Sequence, residues 1–432
     1  MSGHSSRRDF MRNTTLAGVG FWVAGKASAA DDSKSPNEKI RFACIGVGGK
    51  GSSDSDDAGR HGDVVAICDI DDKRLDAAAI KFPNAKKYTD FRKLLEESGK
   101  DIDAVTVSTP DHTHAAASLM AMRMGKHCFT QKPLTHTLYE ARRMAEVARE
   151  NKVATQMGNQ GTSNSGLREA AAIVQSGALG TVKEVHVWTN RPIWPQGGPR
   201  PPQADCPANV HWEEWLGPTA IVPYANGYHP FAWRGWWDYG TGALGDMACH
   251  TLNMPYMALA LQNPTSVEAE SPGHNKESYP KWSIIKYEFP AIANRPAVTM
   301  TWYDGGKKPD ASLFGGEKVD KAGALLIGDK GKLYAPGDYA EQFKLIGLDK
   351  PTVEFQVSPG HFKEYADAIR GGKPAVSNFP DYSGPLTEIV LLGNLAVWSG
   401  KKVDWDAKNL KATNSPELDA IIRPTYREGY TL

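Results

Sequence analysis

With 432 residues, the chain is long enough for two domains of ordinary size. Its 50 basic residues are matched by 50 acidic ones, a balance that carries no nucleic-acid or membrane footprint. The five cysteines show no C-x-x-C or metal-ligand spacing, and three of them (Cys44, Cys68 and Cys128) fall in apolar runs where a thiol serves as a small hydrophobe.

The chain opens with Arg7-Arg8-Asp9-Phe10, which has the form of a twin-arginine export signal. A mildly apolar run over 16–24, too short to span a bilayer, leads to the small residues Ala27-Ser28-Ala29. Residues 1–29 therefore read as a signal peptide that sends the protein to the periplasm, with no membrane insertion after its removal. Residues 30–38 read as a polar linker.

A folded domain is expected over 39–160. Arg41 to Ile45 reads as a buried strand running into Gly46-Val47-Gly48-Gly49-Lys50-Gly51, which has G-x-G-x-x-G spacing. Gly46 permits the tight turn, Gly48 lets the backbone approach a pyrophosphate, and Gly51 lets helix pack close to strand. With Gly49 and Lys50, the following helix N-terminus offers unpaired N–H groups to an anion. A second apolar run over 64–68 ends in Asp69, about 20 residues on, where a carboxylate takes ribose hydroxyls. Asp71 and Asp72 disfavour a 2′-phosphate, so the sequence predicts NAD; Arg74 keeps NADP open. The helix over 52–60 has almost no apolar face and is expected to be short and poorly packed.

Further helices are expected over 71–82, 90–95, 115–124 and 138–151, and strands over 87–88, 103–109, 125–131 and 153–158. This alternation specifies a doubly wound parallel sheet, whose ligands lie beyond the carboxyl ends of the strands. Thr109, Pro110, His114, Gln131, Lys132 and Asn159 fall on that edge and complete the candidate cofactor contacts. Asp111-His112-Thr113-His114 reads as a strand-end loop in which His114 caps or lines the cofactor site. Two histidines two apart are a poor pair for one tetrahedral ion, so no metal is expected.

On Gly46–Gly51, Thr109–His114, Gln131-Lys132-Pro133 and the 242–250 segment, the chain resembles the glucose–fructose oxidoreductase, inositol dehydrogenase and rhizopine catabolism family of nicotinamide oxidoreductases. Gln131 stands where that family has a glutamate. The resemblance covers nearly all of 38–432. It implies a Rossmann domain followed by an α/β domain with a large open, mostly antiparallel sheet, and dimers or tetramers formed through that sheet.

In the second domain, 161–432, a helix is expected over 166–175 and a strand over 182–189. The proline- and glycine-rich 192–207 reads as an extended insertion covering a cleft or a partner subunit. An aromatic cluster follows, with Tyr224, Tyr228, Phe231, Trp233, Trp236, Trp237 and Tyr239 around Arg234 and Asp238. Aromatic faces beside hydrogen-bonding groups suit sugar rings, so Arg234, Trp236, Trp237 and Tyr239 are the candidate substrate contacts. Strands over 282–289, 297–302, 323–327 and 332–334 and helices over 361–370 and 384–400 complete the domain. Residues 421–430 read either as a docking segment or as a disordered tail.

Asp246 and His250, four apart, share one helix face. Removing hydride from a secondary alcohol requires a base for the hydroxyl proton, and a neutral imidazole suits that task. His250 is the candidate base. Lys132 would polarise the oxygen, and Asp246 would orient a hydroxyl or the imidazole. Cys249 points elsewhere and reads as core. The sequence thus predicts an exported oxidoreductase acting on a sugar or glycoside, with a nicotinamide that stays bound through turnover. Two alternatives are an NAD-dependent glycosidase working by transient C3 oxidation and elimination, and a non-catalytic sugar-binding protein.

Overall fold

A computed structural model describes residues 39–432; the segments read as signal peptide and linker lie outside the described residues. The first sheet is built from β1 (Ile40–Ile45), α1 (Lys50–His61), β2 (Gly62–Cys68), α2 (Asp72–Lys81), β3 (Lys86–Tyr88), α3 (Phe91–Ser98), β4 (Ala104–Val107), α4 (Asp111–Arg123), β5 (His127–Thr130), α5 (Leu138–Glu150) and β6 (Thr155–Met157). Its six strands run parallel in the order β3-β2-β1-β4-β5-β6. The order reverses between β1 and β4, and a doubly wound sheet opens its ligand crevice at that switch point.

Two local expectations are corrected here. Helix α1 is neither short nor loose: it runs for 12 residues and buries Gly51, Asp54, Ser55 and Ala58. Its inner face is small and polar because the helix sits very close to β1, and its polar atoms are satisfied locally. Ser55 Oγ donates to Gly51 O at 2.7 Å, and Asp54 is fully bonded. A Cβ at Gly51 would lie 1.9 Å from Gly46 O. Gly51→Ala is therefore expected to cost about 1–3 kcal/mol and to weaken nucleotide binding, read by thermal melting and a nucleotide titration. The second correction concerns residues 111–114. They form the first turn of α4, with Pro110 at its N-cap, and not a loop.

The second sheet follows α6 (Ser165–Gln175). It contains β7 (Val182–Trp188) and, after α7 (Trp212–Leu216), α8 (Gly242–Thr251) and α9 (Asn253–Leu259), the strands β8 (Ser266–Glu270), β9 (Ile284–Phe289), β10 (Val298–Tyr303), β11 (Gly323–Gly328), β12 (Lys332–Pro336) and β13 (Lys344–Ile346). After α10 (His361–Ile369) and α11 (Gly384–Ser399), β14 (Val403–Asp406) and β15 (Lys411–Ala412) close the set. Nine strands lie in the order β13-β12-β11-β7-β10-β9-β8-β14-β15, antiparallel except for the parallel pair β7 and β10. Helix α11 is apolar all round and packs against α5, α8, β8 and β9, as a helix without a polar face must. Among the described residues no helix is long and apolar enough to cross a membrane.

The 192–207 segment packs within the second half, with Gln196 Nε2 donating to Pro280 O and Gly197 N donating to Ser278 Oγ, whereas residues 209–211 and 421–430 fold onto the first domain. Asp71 pairs with Val210, Asp72 N donates to Asn209 O at 2.9 Å, and His211 N donates to Ile70 O at 2.8 Å. The 421–430 segment is docked: Tyr426 bonds Glu140, and the Tyr430 ring packs on Phe91 and Arg92.

Candidate active site

A cavity of about 540 Å³ opens above the carboxyl ends of β1, β2, β4 and β5. Its floor is the glycine turn. Gly46 has φ +79°, and a Cβ there would lie 2.6 Å from Ser108 O, so only glycine fits. Asp69 is buried and holds this turn. Its Oδ2 accepts from Val47 N (2.9 Å) and Gly48 N (3.1 Å), and its Oδ1 accepts from Asp71 N (3.0 Å). Burial raises its carboxyl above the ordinary range against the pull of those N–H groups. A carboxylate has about four acceptor positions, so Asp69 is first a clamp on the turn, with room for about one ribose hydroxyl.

The other two acids read as excluding a phosphate do not line the cavity. Asp71 caps α2 and accepts from Asn209, and Asp72 bonds His211. Arg74 does reach the wall, lying across Gly48.

Lys50, Thr109 and Pro110 line the cavity, whereas His114 and Asn159 sit behind its wall. His114 is buried with its ring nitrogens on Pro133 O (2.9 Å) and Thr109 O (2.8 Å), so it ties two strand-end loops together. Asn159 is fully buried and bonded by Ser377; its neighbour Gln160 lines the cavity instead.

The departure at Gln131 has a local cause. Asp54, buried in α1, receives Lys50 Nζ at 2.6 Å, Ser108 Oγ at 2.7 Å and Gln131 Nε2 at 2.9 Å. The amide can donate to that carboxylate where a glutamate would oppose it. Gln131→Glu is expected to cost about 1–3 kcal/mol. Of two facing carboxylates one takes a proton in the native state, so the loss should deepen as pH rises from about 4.3. Melting curves across pH check this.

Lys132 and α8 make the chemical end. Lys132 Nζ donates to Asp246 Oδ1 at 2.8 Å and Asp246 O at 2.6 Å, leaving its third N–H for the cavity. Arg234 Nε donates to Asp246 Oδ1 at 3.2 Å, and Arg191 Nε lies 3.9 Å from Oδ2. Burial works to raise the Asp246 carboxyl, but Lys132 and Arg234 outweigh it and hold it at about 2. Asp246 therefore fixes Lys132 and makes no hydrogen bond to His250, although the two share a helix. His250 is buried, lines the cavity and packs edge-on to Tyr339 at 4.8 Å. Burial, then the nearby Lys132 charge, pushes its imidazole well below the ordinary value. Its Nδ1 is buried with no partner among the described residues. Cys249 is buried in the core, and the five cysteines are free.

Of the aromatic cluster, Phe231 and Trp233 line the cavity with Trp215. Trp236, Trp237 and Tyr239, read as sugar contacts, do not. Trp236 is packed in an aromatic core with Tyr228 and Trp233, and its Nε1 donates to Gly227 O. Trp237 stacks on Tyr279 at 3.6 Å and, with Tyr239, lines a separate cavity of about 310 Å³. Sequence reasoning missed Arg191, His229 and Tyr339 on the cavity wall. Arg191, just past β7, carried a strand-end signal; Tyr339, in an irregular segment after β12, carried none.

Residues 40–159 match the model described as an oxidoreductase family, NAD-binding Rossmann fold, and residues 163–432 match the companion C-terminal alpha/beta domain. The chain belongs to the GFO/IDH/MocA oxidoreductase family. Its first sheet is thus an NAD-binding Rossmann domain. Inositol 2-dehydrogenase of Salmonella typhimurium is 32% identical over 126 residues, covering 29% of this chain and 37% of the relative. A glycosyl hydrolase family 109 protein of Solibacter usitatus is 33% identical over 156 residues, covering 32% and 34%. The chain thus spans little more than a third of the length of these curated relatives. An inositol dehydrogenase homolog from Azotobacter vinelandii, complexed with NADH and myo-inositol, superposes with a TM-score of 0.59 at 18% identity, over 85% of this chain and 98% of that one.

The donors on the cavity wall suit a dinucleotide. The glycine turn feeds the N-terminus of α1, and the buried Trp215 indole N–H, on the same wall, has no acceptor among the described residues.

Proposed function

We propose that this protein is an NAD-dependent oxidoreductase acting on a secondary hydroxyl of a sugar or sugar derivative. The observation that carries the reading is that Lys132, Asp246 and His250 open on the same cavity as the glycine turn. The turn backbone, Asp69, Arg74 and Trp215 would hold the dinucleotide, which supplies a hydride acceptor at its nicotinamide ring. His250, kept neutral by burial, takes the hydroxyl proton as the carbonyl forms. Lys132 directs its free N–H at the substrate oxygen and steadies the charge that develops there, and Asp246 holds Lys132 in place. Trp215, Phe231 and Trp233, on the same wall, offer apolar surface to the ring. The decisive test is the absorbance spectrum of the purified protein before and after a panel of sugars and glycosides. Reduction of the nicotinamide supports the reading; absence of any nucleotide, bound or bindable, rejects it.

The likeness to the glycosyl hydrolase family 109 protein supports a second outcome at the same site: oxidation, loss of an aglycone, addition of water and re-reduction. Aglycone release without net reduction would select it. We also propose export through Arg7-Arg8 to the periplasm, tested by fractionating cells that express the wild type and an Arg8→Lys variant, and a dimer or tetramer, tested by light scattering.

A further inference from the structure

We propose that the substrate is an acidic sugar, one whose carboxylate sits against Arg191 and Arg234; this rests on the oxidoreductase reading above. The chemical end of the cavity carries more positive charge than its own chemistry needs. Three cations, Lys132, Arg234 and Arg191, lie 2.8, 3.2 and 3.9 Å from the single carboxylate of Asp246. Lys132 and Arg234 together hold Asp246 ionised, and Arg191 stands beyond hydrogen-bond reach of it. Asp111, also on the cavity wall, is buried, accepts from the Thr241 hydroxyl at 2.6 Å and is hydrogen-bonded to neither arginine.

Both guanidinium groups are anchored at one edge and open at another. Arg234 spends Nε on Asp246 and Nη1 on Phe231 O (3.1 Å), and it is held over the Trp233 ring at 4.2 Å. Its Nη2 donates to no acceptor among the described residues. Arg191 spends Nη1 on Asn190 and reaches Asp246 only at 3.9 Å, beyond a hydrogen bond. Both side chains are about three-quarters buried, at 22% and 24% exposure, and both line the cavity. A planar guanidinium fork matches a carboxylate with two parallel N–H···O bonds, and such charge-assisted bonds are roughly twice as strong as neutral ones. A neutral hydroxyl in that place would accept a bond yet leave the charge unanswered, which is how the site would discriminate.

The test gives the nucleotide-loaded protein D-glucuronate and D-galacturonate with their methyl glycosides, the matched neutral hexoses and glycosides, and the hexose 6-phosphates. Rates of nicotinamide reduction are measured, and binding is followed independently by tryptophan fluorescence. The uronates should exceed their neutral partners in kcat/KM by about 10- to 100-fold, and Arg191→Met and Arg234→Met should each shrink that ratio. Equal or better use of neutral sugars, a preference for the phosphates, or an unchanged ratio in both variants would overturn the assignment. If no sugar is oxidised, the oxidoreductase reading fails by itself. Saturable binding selective for uronates and weakened by Arg191→Met would then still uphold the acidic subsite, and its absence would remove it.

Discussion

His250→Asn should lower kcat by about 10²- to 10⁴-fold, the usual worth of a positioned general base, while leaving nucleotide affinity near the wild-type value. The imidazole has no hydrogen bond to a protein group among the described residues, so its loss removes a proton acceptor without dismantling a network. The pH profile gives a sharper check. A base works in its neutral form, and burial followed by the Lys132 charge lowers the His250 pKa well below the ordinary value. The neutral fraction therefore persists as pH falls, and kcat/KM of the wild type should stay level through about 6.5 and decline only at lower pH. An acid limb at or above that value would reject His250 as the base.

Lys132→Met should have an effect of similar size, a loss of about 10²- to 10³-fold in kcat/KM, because it removes the donor to the reacting oxygen. The fold should survive. Asp246 keeps Arg234 at 3.2 Å, so the buried carboxylate is not left without a cation. Single-turnover kinetics on nucleotide-loaded protein separates this from a binding defect. Turnover equal to wild type would reject Lys132 as the donor to the reacting oxygen.

The legible parts of this protein were those written in local spacing. The glycine turn, the alternation of strands and helices, and the i,i+4 relation of Asp246 and His250 each depend on neighbours in sequence, and each led to a correct element. What stayed hidden depended on distant partners. Helix α1 looked unpackable because Asp54 reads as a solvent residue; its burial makes sense only once Ser108 and Gln131, 54 and 77 positions away, are beside it. The aromatic run showed that tryptophans would cluster, yet composition alone could not sort Trp233, on the cavity, from Trp236, in the core. Asp246 was read as orienting a hydroxyl or the imidazole; its tie to Lys132 spans 114 positions.

The strap around Asn209 and His211, hydrogen-bonded to the end of β2, makes the nucleotide cavity a joint product of both sheets. A ligand that binds only the assembled cavity stabilises everything that must be folded for the cavity to exist, by RT ln(1 + [L]/Kd). Occupancy at the glycine turn should thus be felt as slower amide hydrogen exchange in β8 and β9, strands that contribute no residue to the cavity wall. The protein would be its own reporter of loading, with the signal arising far from the ligand.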